Sequence, residues 1–349
     1  MRLLRNLGFV LVALAVLGAG VASLLWFAAA RTIEAEVRAW AAQSGPAVAV
    51  KIGSVAVSGF PTRLVTTLED VDIVSAVGPA TYHTGRILVT RELRGGAISL
   101  LVPSPQTVTL ESGTAFRISA DRFGGSMSTR PGGSFGGVSL DATGLSIELP
   151  GQPLARAQRM TFEVTIPDAE GLVPSGTQAS ISLMSLTLPS QGNGPFGDTI
   201  QLLQAKFELE GAFATTALIS SLLAWQPAGR VNLSDATVRW GSLDASPMWG
   251  ILRLDRAMRP AGSIDVLFHD PRPAFEAMAA AGWADPKVLA PLINGTDFDP
   301  NRVLLKAYRV TLLDGKVVVD DIDMDHTAPV TLWTVPSPLA RRAGLSEGR

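Results

Sequence analysis

Apolar and polar residues alternate along most of the chain after residue 45. The alternation is unbroken at residues 145–149, 160–166 and 206–210. Because successive side chains of a strand point to opposite faces of a sheet, a period of two predicts strands that bury one face. Shorter runs of the same kind lie at residues 48–57, 87–90, 108–111, 181–188, 231–240, 252–255, 264–268, 303–312 and 317–322. Their spacing of roughly ten to twenty residues predicts antiparallel meanders rather than βαβ units.

Helical periodicity interrupts this pattern at two places. In residues 213–225, Leu218, Leu222 and Trp225 form an apolar stripe, which predicts a helix. A helical pair is predicted further on, and its first helix places Phe275 on an apolar face together with Met278.

The second helix of this pair has clear end signals. Asp285 is placed to cap it, Pro286 occupies its first position and Gly295 follows its end, as is typical of helix termini.

Turn residues suggest how the chain is divided. Asp314-Gly315 predicts a tight hairpin between strands that end at Leu312 and begin at Val317. The segment 124–137 is dense in glycine and serine, which predicts a flexible loop or a weak edge strand and makes it the best candidate for an internal boundary. Residues 335–349 read as a flexible tail.

The N-terminal segment predicts a membrane anchor. Arg2 and Arg5 precede residues 6–30, which carry no charge and are long enough for a helix that crosses a bilayer. The positive-inside rule then places residues 1–5 in the cytoplasm and the chain after residue 30 in the periplasm. The alternative is a signal peptide cleaved after the Ala28-x-Ala30 pattern, although its apolar region would be unusually long.

The domain organisation follows from these signals. After the anchor, Ile33, Val37 and Trp40 recur at helical spacing, so residues 31–45 are predicted to form an amphipathic stalk. Residues 46–334 are predicted to form a periplasmic β-rich domain. The expected fold class is mainly β with a few helices: one large curved antiparallel sheet or two packed sheets, preceded by one N-terminal transmembrane helix.

Composition excludes several classes of function. The net charge of the 349 residues is −2, with 17% charged residues, so no long-range field attracts nucleic acid. The absence of cysteine excludes a disulfide framework, a thiolate metal site and a cysteine nucleophile.

Candidate catalytic residues are few. Ser134 lies in Gly132-Gly133-Ser134-Phe135-Gly136, which fits the G-x-S-x-G nucleophile pattern, but no strand is predicted before it and no helix after it. The histidines His83, His269 and His326 are scattered without the spacing of metal ligands. We therefore predict no catalytic and no cofactor-binding residues, no cofactor, and a protein that is not an enzyme.

Two acidic clusters invite a metal-site interpretation. Asp321, Asp323 and Asp325 alternate before His326, and a similar cluster comprises Glu69, Asp70 and Asp72. Neither has the glycine and closing glutamate of a calcium loop, and charged residues of this kind also protect sheet edges from further pairing. No metal ligands are therefore predicted.

Apolar sheet surface is the remaining functional signal. Strands such as residues 160–166 carry an aliphatic and aromatic face opposite a face of threonine, serine and a few charges. This pattern fits the core of an ordinary sandwich, and it also fits a sheet curled around a groove for an acyl chain.

The sequence resembles the alphaproteobacterial family known as domain of unknown function 2125. The resemblance covers most of the chain through modest motifs in a specific order. These are Gly59-Phe60-Pro61 with Arg63, Gly78-Pro79, Arg239-Trp240-Gly241, Leu252-Arg253-Leu254-Asp255, Arg259-Pro260-Ala261-Gly262, residues 275–282 and Leu313-Asp314-Gly315. The resemblance implies an inner-membrane-anchored periplasmic protein, related in architecture to the AsmA-like envelope proteins associated with lipid traffic, and it brings no catalytic residues. In structural terms, Phe60 is expected to pack into the end of the sheet and Gly241 to let the chain bend.

The expected function is to bind or pass an apolar ligand such as lipid in envelope maintenance. The expected partners are the membrane, through the single-pass anchor, and a lipid ligand, with no nucleic acid. The alternative is a non-enzymatic scaffold that recruits other envelope proteins through its sheet edges or through small residues of the anchor, such as Gly18 and Ala22.

Overall fold

The protein is mainly β, as the alternating pattern predicts, with a few helices. The computed structural model describes residues 23, 26–42, 48–75, 80–92, 97–103, 105–110, 113–129, 135–150, 152–166, 176–188, 195–210, 229–254, 260–282, 285–294, 307–313, 316–320 and 322–323. Within this part of the chain, no helix is both long and apolar enough to cross a membrane. Most of the predicted anchor, the predicted helix at 213–225 and the tail lie outside the described residues.

Seventeen strands of the described chain form one antiparallel sheet. The strands are β1 (Val48–Ser58), β2 (Arg63–Ser75), β3 (Ala80–Glu92), β4 (Ala97–Leu101), β5 (Gln106–Leu110), β6 (Ala115–Ser119), β7 (Arg122–Thr129), β8 (Phe135–Leu149), β9 (Gln152–Thr165), β10 (Thr177–Thr187), β11 (Thr199–Glu210), β12 (Arg230–Trp240), β13 (Leu243–Leu254), β14 (Pro260–Phe268), β15 (Ala307–Leu313), β16 (Lys316–Val319) and β17 (Ile322–Asp323). The prediction of a large antiparallel sheet is confirmed, and the strands pair as one sheet rather than two.

The sheet is a meander with two interrupted positions. β4 and β5 lie end to end along β3, because Arg91 pairs with Ile98 while Thr84 pairs with Gln106. β6 and β7 likewise lie end to end along β8. From β8 onward every strand pairs with its neighbour in sequence.

Residues 124–129 and 135–137 belong to the interior of this sheet. Gly124 and Gly125 of β7 pair with Leu101 and Leu100 of β4 on one side and with β8 on the other. The expectation of a flexible loop or weak edge is wrong for residues 124–129 and 135–137, while 130–134 lie outside the described residues. The small residues allow close strand packing: a Cβ added at Gly124 would lie 2.9 Å from the Leu100 carbonyl oxygen.

A line of irregular residues crosses the sheet, and we call it the crease. On β8 the apolar positions are Val138, Leu140 and Ala142 before Gly144, but Leu145 and Ile147 after it, so the alternation shifts by one residue. Ala142 and Leu145 nevertheless belong to the same buried cluster, because Gly144 adopts a positive φ of 59° and turns the chain there. The crease comprises Gly53, Asp70, Gly85, residues 102–103, residue 105, residues 120–121, Gly144, Gln158, Ser185 and Gln201.

In the part of the chain that the structure describes, three helices flank the sheet. Residues 26–42 form α1, which includes the beginning of the predicted stalk. α2 (Pro271–Ala280) is capped by the preceding residue, Asp270, whose side chain accepts a hydrogen bond from the Arg272 backbone N–H. α3 (Pro286–Asn294) has Pro286 first, as predicted, and Asp285 accepts from the Lys287 N–H at 2.8 Å. The predicted helical pair is thus confirmed, and Leu313 pairs with Lys316 as the predicted hairpin requires.

The tightest core lies where α2 and α3 cover the end of the sheet. Phe275, Leu289, Tyr308 and Val319 are buried there, and the rings of Phe275, Phe268 and Tyr308 pack 5.4–5.8 Å apart. Such aromatic contacts add to the stabilisation that comes from burial alone.

Alkaline pH is expected to weaken this core. Burial, followed by the charge of Asp320, raises the pKa of Tyr308 to about 12. In the unfolded chain a tyrosine ionises near pH 10. The contribution of the neutral Tyr308 to the free energy of unfolding is therefore present below about pH 10, and on the order of 2 kcal/mol of it is lost as the pH rises toward about 12. Urea unfolding at about pH 9 and about pH 11.5 checks this for the natural chain and for Tyr308→Phe. Equal losses in both chains would contradict it.

Candidate functional site

A row of apolar residues runs across thirteen strands on one face of the sheet. Each member lies directly opposite the next in the strand register, so all of them project from the same face. We call this set the central row: Val57, Thr66, Val89, Leu100, Gly125, Leu140, Phe162, Ile181, Ala205, Ala236, Met248, Val266 and Tyr308. With neighbouring strands about 4.8 Å apart, its twelve intervals measure on the order of 58 Å along the sheet.

Burial along the central row is uneven. At its two ends, Thr66, Val266 and Tyr308 are buried. Between them, large side chains such as Leu140 and Phe162 are only half-buried. A sheet face that is fully packed against a second layer buries such side chains. The middle of the row therefore retains accessible apolar surface.

Two flanking rows widen this surface over β8 to β12. One row contains Val138, Val164, Ala179, Phe207 and Leu233; the other contains Ala142, Met160, Leu183, Leu203 and Val238. In both rows only the alanines are buried, and the larger side chains are half-buried. Three adjacent apolar rows thus form a band about five strands wide that is broad enough to contact an extended hydrocarbon chain.

Helices cover both ends of the central row. At the β1–β2 end, Trp26 and Ala30 of α1 are buried against Leu64, with Val57 beside them. At the β15 end, Phe275 of α2 and Leu289 of α3 pack on Tyr308. The apolar face is closed at its ends and half-buried between them.

The opposite face of β8 to β12 is polar. Its register row, one residue away from the central row, comprises Asp141, Thr161, Ser182, Gln204 and Thr237. Arg159 forms an ion pair with Asp141 at 3.1 Å, and Gln204 Nε2 donates to Ser182 Oγ at 3.3 Å. Water can satisfy such a row, so the strands are amphipathic at this level of the sheet.

An open cavity of about 980 Å³ lies on the polar face, not on the apolar one. It extends over β3, β4, β7, β8 and β9, and its lining includes Thr90, Ser99, Ser126, Ser139, Asp141 and Arg159. These hydroxyl and charged groups suit water or a polar ligand. The lining also includes Leu88, Leu101, Val102 and Phe123, so the cavity has apolar as well as polar walls.

The predicted chemical residues do not form a site in the described part of the chain. His83 Nδ1 lies 2.7 Å from Asp72 Oδ1 on the exposed face of two paired strands, and His269 is exposed far along the chain. Ser134 and His326 lie outside the described residues. The described residues contain no group of acidic or histidine side chains placed to hold a metal ion.

The acidic cluster on β2 is divided among separate partners. Glu69 accepts hydrogen bonds from Ser54 at 3.1 Å and from Arg86 at 3.0 Å, whereas Asp72 faces His83. Asp70 lies on the crease with a positive φ of 51°. The carboxylates therefore pair with neighbouring strands and do not converge on a common point.

Three of the motif residues, Trp240, Gly241 and Phe60, have roles that can be read from their contacts and backbone geometry. Trp240 Nε1 donates to the Gly197 carbonyl at 2.7 Å, and Gly241 has a φ of 57° at a point where a Cβ would overlap the backbone of Phe196. Gly241 was expected to let a strand bend, but it lies in the turn between β12 and β13, where the chain reverses direction. Phe60 does not pack into the end of the sheet: it is 48% exposed and contacts Trp26 and Phe27.

Sequence reasoning found the apolar faces of single strands but not the central row. The signal was the alternation itself, as in Phe162 between Thr161 and Glu163. Joining thirteen such positions into one row requires the register of every strand pair, and alternation within one strand does not contain that information.

Comparison with known proteins gives one result. A family model described as "Uncharacterized protein conserved in bacteria (DUF2125)" matches residues 26–298, which is more than half of the chain. No curated protein matches, and no solved structure matches.

Proposed function

The chain belongs to the DUF2125 family of uncharacterized bacterial proteins, and from this premise we propose that it is a membrane-anchored envelope protein that holds or passes an apolar ligand such as lipid. In this proposal the uncharged residues 6–25 cross the inner membrane once, with the N-terminus in the cytoplasm and the sheet in the periplasm. Residues 26–30 of the predicted anchor belong to α1, where Trp26 and Ala30 pack on the sheet. An architecture related to the AsmA-like envelope proteins is part of the same proposal. The protein acts without chemistry of its own.

The central row is the observation that carries this proposal. Its ends are covered by helices, but its half-buried middle leaves apolar surface in contact with water. Covering such surface is favourable by about 25 cal/mol per Å². An acyl chain that lies along or across the row would cover side chains such as Leu140, Phe162 and Ile181.

Photocrosslinking in intact cells tests the proposal without detergent. The photoreactive residue p-benzoylphenylalanine replaces Phe162 in one variant and Thr161 in the matched control. Both positions are half-buried on β9, but they project from opposite faces of the sheet. Mass spectrometry of the irradiated full chain is expected to show lipid adducts at Phe162 and only background at Thr161. Equal yields, or no adduct at Phe162, would overturn the proposal.

A scaffold is the second candidate, and strand β1 favours it. β1 is eleven residues long with Lys51 as its single charge, and among the described strands it pairs with β2 alone. A long edge with so little charge is open to pairing with a strand of another protein. In the same experiment, a photoreactive residue at the exposed Ala56 would give protein adducts. Such adducts in the absence of lipid adducts at Phe162 would favour the scaffold.

A further inference from the structure

Two aromatic rings project from the β1–β2 corner of the sheet. Phe27 of α1 is 57% exposed and Phe60 of the β1–β2 turn is 48% exposed. Their rings are stacked, with centroids 6.4 Å apart and an interplanar angle of 15°. Together they form a patch that contains two large apolar side chains side by side.

The patch is held in place by the buried ring next to it. Trp26 is 7% exposed, contacts both phenylalanines edge-on at 5.1 and 5.6 Å, and donates from Nε1 to the Arg63 carbonyl at 3.0 Å. This bond ties α1 to the turn that carries Phe60. The positions of the two exposed rings are therefore fixed by their packing against Trp26, in addition to their contact with each other.

The surroundings of the patch combine apolar and cationic groups. Pro61, Arg63 and Arg31 are exposed close by in sequence. Aromatic rings favour the boundary between hydrocarbon and headgroups, and nearby arginines favour lipid phosphates. Residues 6–25, which lead directly into Trp26, carry no charge. The patch thus continues an apolar stretch of chain into the folded domain.

We propose that Phe27 and Phe60 insert into the interfacial layer of the bilayer and seat the β1–β2 corner on the membrane surface. The inference rests on the proposed membrane anchoring and adds an orientation to it. The central row begins at this corner, where Val57 packs beside α1, and it ends at α2 and α3. Because α1 covers the first positions, lipid would reach the row beside α1, at half-buried side chains such as Val89, and would move along it away from the bilayer.

A fluorescent label at the turn tests this orientation. Because the chain contains no cysteine, Thr62→Cys gives a single attachment site in the exposed turn beside Phe60. The full chain is incorporated into phospholipid nanodiscs that carry a spin-labelled phospholipid, and an environment-sensitive dye is read against that quencher and against aqueous iodide. Asp198→Cys is the matched control, because Asp198 is exposed in the connection between β10 and β11, at the strand ends opposite to those joined by the β1–β2 turn.

The expected result is a blue-shifted dye at Thr62→Cys that is quenched by the spin-labelled lipid and protected from iodide. The dye at Asp198→Cys should show the reverse. Adding Phe27→Ser and Phe60→Ser to Thr62→Cys should abolish the lipid quenching, while matching thermal unfolding shows that the fold is retained.

Other outcomes overturn the inference in distinguishable ways. If the chain enters nanodiscs but iodide quenches the Thr62→Cys dye as strongly as the control, the corner does not touch the bilayer, while the anchoring stands. If the dye is shielded from both quenchers, a second copy or another protein covers the patch. If the chain does not enter nanodiscs, the proposed anchoring fails as well.

Discussion

Replacing Phe275 by alanine is expected to lower the free energy of unfolding by about 3–5 kcal/mol, as typically found for buried phenylalanine. Phe275 is 3% exposed and packs against Phe268 and Tyr308. Its removal leaves a cavity between α2 and the end of the central row. Because both the transferred surface and the cavity cost free energy, the loss should be near the upper end of single substitutions.

Chemical denaturation of the full chain measures this loss. Met184→Ala is a suitable control, since Met184 is a large apolar residue that is 44% exposed and its truncation should change stability by less than about 1 kcal/mol. A loss of similar size at both positions would contradict the packing described for α2. Lipid crosslinking at Phe162 should persist in Phe275→Ala under conditions where that variant remains folded.

Replacing Gly250 by alanine is expected to destabilise the sheet by on the order of 3 kcal/mol, from backbone strain and overpacking together. Gly250 on β13 has a φ of 155°, which side-chain-bearing residues rarely adopt. A Cβ there would overlap the carbonyl of Ser263 and would lie 2.7 Å from the Ile264 Cα. These are backbone atoms of the paired strand β14, so relief requires a shift of the strand ladder.

Gly85→Ala is the matched control for Gly250→Ala. Gly85 is also a strand glycine, but no heavy atom lies within 4 Å of a Cβ placed on it. Its replacement should be neutral or stabilising by up to about 1 kcal/mol, because alanine restricts the unfolded chain. Comparison of the two thermal unfolding transitions checks this. Equal destabilisation would show that loss of glycine as such, and not the close approach to β14, is responsible.

The crease explains why alternation predicts some strands completely and others only in part. The run from Met160 to Ile166 lies on one side of the crease, and its period is unbroken. β2 crosses the crease at Asp70, so its buried positions Leu64 and Thr66 are out of phase with Val71. No strand was predicted at β2 because a shift of one residue destroys the period of two over a window of this length.

The candidate site was visible in parts but not as a whole. Alternation at residues 160–166 indicated an apolar face and suggested either a sandwich core or a groove. The half-burial of Phe162 favours the groove, and that quantity depends on what other parts of the chain cover. Phe60 shows the same dependence, since its ring contacts Trp26 and Phe27 of α1, which lie far from it in the sequence.

The sequence by itself determined the features that depend on neighbouring residues: the period of the strands, the cap of α3, and the hairpin at Leu313 and Lys316. These follow from side-chain direction and local hydrogen bonding, which act over a few residues. Only the tertiary structure decided the register that aligns the central row, the crease that keeps its apolar side continuous, and the helices that cover its ends. Those features involve residues as far apart in the sequence as Val57 and Tyr308. The contacts that stabilise them form only when distant strands pair.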